Sequence, residues 1–74
     1  MKYYIIRRDP DGNSQIMAEE ELANAGLALG WAISWASFIS DAGPYFLECS
    51  DGSSPLKLIR THSGKWYGLA QAAS

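Results

Sequence analysis

The sequence predicts an α+β fold: one strand, a helical segment, then a three-strand meander, with the helical segment on one face of a mostly antiparallel sheet. Three observations predict it. Residues 2–8, KYYIIRR, concentrate Tyr and Ile, which favour strands. Residues 18–41 interleave Leu, Ile and Trp with Ala, Gly and Ser, and Ala, Gly and Ser form strands poorly. From Tyr45 onward, short apolar runs are separated by Asp51-Gly52 and Ser63-Gly64, both turn signals. A chain of 74 residues is expected to form a single small domain, residues 1–74. At that size about 60% of the unfolded surface is buried, so its three Trp and four Tyr matter for stability.

The first strand has apolar residues on both sides, Tyr3 and Ile5 on one and Tyr4 and Ile6 on the other. That pattern fits a central strand, or one face used for contact. Asp9-Pro10-Asp11-Gly12-Asn13 is turn chemistry: Pro presets φ and Gly supplies a positive one. Residues 14–17 read as a linker into the helix. Glu19, Glu20 and Glu21 then fall in the first helical turn, where the dipole favours negative charge. Asn24-Ala25-Gly26 resembles one C-terminal cap, and Asp41-Ala42-Gly43-Pro44 a second. Helix propensity favours the later stop, giving a helix over 18–41, kinked or split near Gly26–Gly30. A strand over 27–35 is the alternative, because the large residues there alternate with a period of two. Strands at 45–50, 56–61 and 65–69 complete the meander, followed by a small-residue tail.

On a helical projection Leu22, Leu29 and Ile33 cluster on one side, and Leu27, Trp31, Trp35 and Phe38 on the opposite one. A helix lying on a sheet buries one stripe. The second stripe needs a kink, another subunit or an outside partner, and Trp is over-represented among binding hot spots.

The net charge is −2, yet the charges are segregated along the chain. All eight acids lie between Asp9 and Asp51, and all six Lys and Arg lie outside that interval. The segregation predicts an acidic middle segment against a basic sheet, and so an acidic surface for a basic partner. Direct nucleic-acid binding is not expected at a pI of about 5.1, although Arg7, Arg8, Lys57 and Arg60 could line a basic strip.

Catalytic constellations are missing. His62, the one histidine, sits in a turn without a positioned acid. Gly64-Lys65 lacks the other glycines and the helix of a phosphate loop. Asp9, Asp11 and Asn13 alternate as an EF-hand loop begins, but the glycine and the distal glutamate are out of register. One cysteine, Cys49, excludes a disulfide framework and reads as a small buried apolar residue. No enzyme activity, cofactor or metal is expected. The N-terminal apolar run is too short for a signal peptide, and residues 27–39 are too short to span a bilayer, so a soluble protein is expected; a small protein without disulfides suggests a reducing compartment, most simply the cytoplasm.

With its opening MKYYIIRR, its helical middle and its closing YFLECSDGSSPLKLIRTHSGKWYGL, the chain resembles in layout small phage-encoded anti-CRISPR proteins that act on type I effectors. The resemblance covers most of the chain and carries no residue-by-residue motif. It implies a non-enzymatic inhibitor, produced in a host cytoplasm, that occupies a surface of a nucleic-acid-handling complex and blocks DNA. A carboxylate cluster could do so by taking Lys and Arg sites that otherwise hold phosphates, a form of DNA mimicry. The expected partner-binding residues are Asp9, Asp11, Glu19, Glu20, Glu21, Trp31, Trp35 and Asp41. The competing expectation is a self-associating accessory domain with a Trp-rich dimer interface.

Overall fold

The computed structural model describes residues 1–40, 43–52 and 55–70. They form one helix and a five-stranded antiparallel sheet, an α+β fold with the helix on one sheet face. The strands are β1 (Lys2–Arg8), β2 (Ser14–Glu21), β3 (Tyr45–Cys49), β4 (Leu56–Arg60) and β5 (Trp66–Ala70), and the helix α1 (Ala25–Ser37) lies between β2 and β3 in the chain. The spatial order is β2-β1-β3-β4-β5. β1 is therefore interior, as its two apolar sides predict.

The sheet has one more strand than expected. Residues 14–21 are neither linker nor helix; they return along β1 as an edge strand. The Asp9–Asn13 turn is a hairpin turn, closed by Asp9 N–H donating to the Asn13 carbonyl at 2.8 Å and by Gly12 at φ +91°. The EEE run has weak strand propensity, and pairing with β1 overrides it. Lys2 lies opposite Glu21 and Tyr4 opposite Glu19; the register shifts at Met17, between Ile5 and Ile6.

The helix is shorter than predicted at both ends. Asn24 is an N-cap and not a C-cap: its backbone is extended and its side-chain oxygen accepts from Leu27 N–H at 3.0 Å. That bond satisfies one of the free donors of a first turn. The helix ends at Ser37, with Phe38 as C-cap, and runs through Gly30 without interruption. Residues 27–35 do not form a strand. The expected second cap includes Asp41 and Ala42, which lie outside the described residues.

The stripe that α1 buries is made of alanine. Ala28, Ala32 and Ala36 are fully buried and step by four along the helix. At 100° per residue they fall between the two large-residue stripes, so Leu29 and Ile33 straddle one side and Trp31 and Trp35 the other. Both stripes thus reach inward from the flanks without a kink. The small contact line lets the helix lie close to the sheet. On β5, Gly68 completes the approach: a Cβ there would stand 2.8 Å from Leu29 Cδ1.

The sheet's contribution to the core is Tyr3, Ile5, Tyr45, Leu47, Cys49, Leu58 and Trp66. Trp35 meets the Tyr45 ring edge-on, with centroids 5.2 Å apart and planes at 83°. Tyr45 in turn lies 6.2 Å from Trp66. These three rings join helix, central strand and far edge. The meander matches its prediction closely. Gly52 at φ +78° and Gly64 at φ +86° make its two turns.

Candidate functional site

Three of the acids expected to bind a partner, Asp9, Glu19 and Glu21, are paired with cations of the N-terminus and β1. Because β2 lies beside β1, the glutamates stand next to the chain's first cations. The N-terminal ammonium meets Glu21 at 2.8 Å, and Lys2 Nζ is 3.7 Å from Glu19. Arg7 holds Asp9 at 2.6 Å, and Arg8 pairs with Glu48 across to β3. Asp11 accepts from Asn13 at 3.2 Å inside the turn. Of the run, Glu20 has no ion pair among the described residues and points to the helix side of the edge strand. The predicted contrast between acidic middle and basic sheet is replaced by pairing within the sheet. Asp41 lies outside the described residues.

The aromatic stripe separates in the same way. Trp31 and Trp35 are half-buried at the helix flank and pack against the core. Leu27 and Phe38 stand out from it, Phe38 at 88% exposure. The described residues of the expected partner-binding set lie on separate elements: Asp9 and Asp11 in the β1–β2 turn, the three glutamates on β2, and Trp31 and Trp35 on α1.

A different surface does assemble. The sheet face away from α1 carries no covering element among the described residues. One row crosses all five strands through successive register pairs: Ile16–Ile6, Ile6–Phe46, Phe46–Lys57 and Lys57–Leu69. Only Lys57 in that row is charged. Tyr4 flanks it on one side, and the Ile59–Tyr67 pair on the other. Ile16, Leu69 and Tyr67 are 59%, 49% and 44% exposed. The Arg8 guanidinium lies 4.7 Å over the Phe46 ring while it pairs with Glu48. The signal for this face was present in the sequence as the second apolar side of β1, and Phe46, Ile59, Tyr67 and Leu69 repeat it in the meander.

Among the described residues no group of three His, Cys, Asp or Glu could hold an ion. Cys49 is buried as a free thiol beside Tyr3. Burial pushes the Tyr3 phenol above its ordinary value of 10.0, and Cys49 and the Asp51 carboxylate add to the shift. It stays neutral near pH 7. Among the described residues no helix is long and apolar enough to cross a membrane.

Fold and surface together define a small two-layer α+β domain with an uncovered sheet face. The chain matches no protein family, no curated protein and no solved structure.

Proposed function

We propose that this protein is a non-enzymatic binding domain that occupies the surface of a protein partner through the open face of its sheet. The observation that carries this is the apolar row across five strands with ion pairs at its margin. That is the anatomy of an interface, an apolar centre inside a polar rim. Strand spacing and rise make the face about 20 by 17 Å, comparable with the ~300–600 Å² patches that are often functional on monomers. The charges on the face favour protein over nucleic acid. The N-terminal ammonium, Lys2 and Arg8 are paired with Glu21, Glu19 and Glu48, which leaves Lys57 as the one unpaired cation described on this face, far fewer than phosphate binding uses.

The layout resemblance makes a type I CRISPR effector the first partner to test, with target DNA blocked by occupation. The chain's β2 hairpin adds a strand to the layout on which that resemblance rests. Since Glu19 and Glu21 are already ion-paired, the open face is the better candidate than charge mimicry. The test immobilises the tagged chain and passes a purified type I effector over it, with and without its target duplex. The expected result is capture that excludes the duplex and that Tyr67→Glu with Leu69→Glu abolishes. Capture lost instead in Glu20→Lys with Glu21→Lys, and steeply weakened by salt, would overturn the open face in favour of charge mimicry. Absence of capture together with a dimer in light scattering would leave a self-associating domain.

A further inference from the structure

The two edges of the sheet are protected unequally. β2 carries Glu19, Glu20 and Glu21 and the register shift at Met17, and charge and irregularity both deter pairing with another chain. β5 has neither: its five residues, WYGLA, hold no charge and no proline. The direction of its backbone groups follows from the hairpin. Thr61 N–H donates to the Lys65 carbonyl at 2.8 Å, which makes these two a hydrogen-bonded pair. Such pairs alternate along an antiparallel ladder, so Ile59–Tyr67 and Lys57–Leu69 are hydrogen-bonded pairs, and Arg60–Trp66, Leu58–Gly68 and Leu56–Ala70 are not. The N–H and C=O groups of Trp66, Gly68 and Ala70 therefore point away from β4, and no described strand lies beyond them. On the open face the same edge ends in Tyr67 and Leu69, both exposed.

We propose that this edge pairs with β5 of a second copy, antiparallel about a two-fold axis at Gly68. Gly68 then lies opposite Gly68 of the second copy, and Trp66 opposite its Ala70, so the outward groups form about six hydrogen bonds. Tyr67 falls opposite Leu69 of the second copy in the closely spaced pairs, Cα atoms about 4.5 Å apart, and the exposed side chains cover one another. The strand suits itself because it is uncharged, whereas β2 against β2 would set glutamates beside glutamates. The contact is isologous, so it closes at two copies. Two strands of five residues make a smaller contact than the ~1,200 Å² of stable complexes, so the dimer is a weak one. It extends the open face without covering it. It is therefore independent of the partner proposed above, and its test uses the chain alone.

Sedimentation of the full chain from about 10 μM to about 1 mM should show a species of 8.1 kDa converting reversibly to one of twice that mass. Ala70→Pro removes an outward N–H and leaves the ladder with β4 intact, as proline does on an edge. It should weaken the dimer by about tenfold or more, with the far-UV spectrum unchanged. Cross-linking reads the register. A Cα separation of about 4.5 Å suits a disulfide, so an oxidised mixture of Tyr67→Cys and Leu69→Cys chains should join one of each, faster than either variant joins itself. Cys49 is buried and stays out of that reaction. The cross-linking carries the test should Ala70→Pro unfold the chain. A native chain still monomeric at about 1 mM, a dimer unaffected by folded Ala70→Pro, Cys variants that self-join as fast as the mixture, or assemblies growing beyond two copies would each overturn the proposal.

Discussion

Trp35 and Phe38 lie three residues apart on α1 and have opposite roles. Trp35 makes a T-shaped contact with Tyr45, the most buried large ring of the core, while Phe38, the C-cap, projects into solvent. Trp35→Ala should cost about 3 kcal/mol, the low end for such truncations because the ring is half-buried. For a domain of this size that lowers Tm by roughly 12–24 °C. Phe38→Ser should change stability by no more than about 0.5 kcal/mol. Thermal melts of the two variants test the division of the predicted stripe into core and surface. A large loss in Phe38→Ser would mean that its ring is covered. The division could not be seen on a helical projection that ranked residues by size. The projection paired Leu29 with Ile33 and Trp31 with Trp35, but it also took in Leu22, which precedes α1, and did not ask what lay between the two stripes.

The contact between α1 and β5 depends on what is missing from Gly68. In an open strand, Gly→Ala stabilises by about 0.5–1 kcal/mol through chain entropy. Here the added Cβ would stand 2.8 Å from Leu29 Cδ1 and 3.2 Å from Leu56 Cδ1, the ends of two side chains packed on the core, which must give way. Gly68→Ala should destabilise by about 1–3 kcal/mol, as overpacking does. A double-mutant cycle with Leu29→Ala should return a coupling of at least about 0.5 kcal/mol. Additive losses would show that helix and strand are not in contact at this point. The elements differ in how far the sequence announced them. β1 and the meander were legible because Tyr, Ile and Leu runs end in glycine turns. β2 was not, since Glu19-Glu20-Glu21 suits a helical first turn as well as a charged edge, and edges commonly carry charge to deter mispairing. Asn24-Ala25-Gly26 resembles a C-terminal cap in sequence, inside the helix expected over 18–41, because Asn and Gly serve at both termini. Only the direction of the Asn24 side-chain bond, to Leu27 N–H, decides.

Across the whole molecule, charge follows pairing and not chain position. Asp9, Glu19, Glu21 and Glu48 are brought beside Arg7, Lys2, the N-terminal ammonium and Arg8, so for these four acids the segregation in sequence disappears on folding. The cations left over gather at the β4–β5 hairpin, where sequence order alone did not single them out. The open face was half legible: the second apolar side of β1 announced it, but its extent needed the register of five strands. That register also divides the molecule by time of assembly. β1–β2, β3–β4 and β4–β5 are hairpins between near neighbours, whereas β1 and β3 join residues about forty positions apart, Tyr3 with Cys49 and Arg7 with Tyr45. Loop-closure entropy opposes that one seam until its contacts form, so it should govern the folding barrier. Ile5→Val, in the seam and fully buried, should lose about 0.5–1.5 kcal/mol, and most of that loss should appear as slower refolding in stopped-flow chevrons. An unchanged refolding rate with faster unfolding would place the seam after the barrier. With the seam in the barrier, two locally formed halves, a hairpin and a helix-backed meander, wait for each other at a single line of hydrogen bonds, and the speed of folding is the speed at which β1 finds β3.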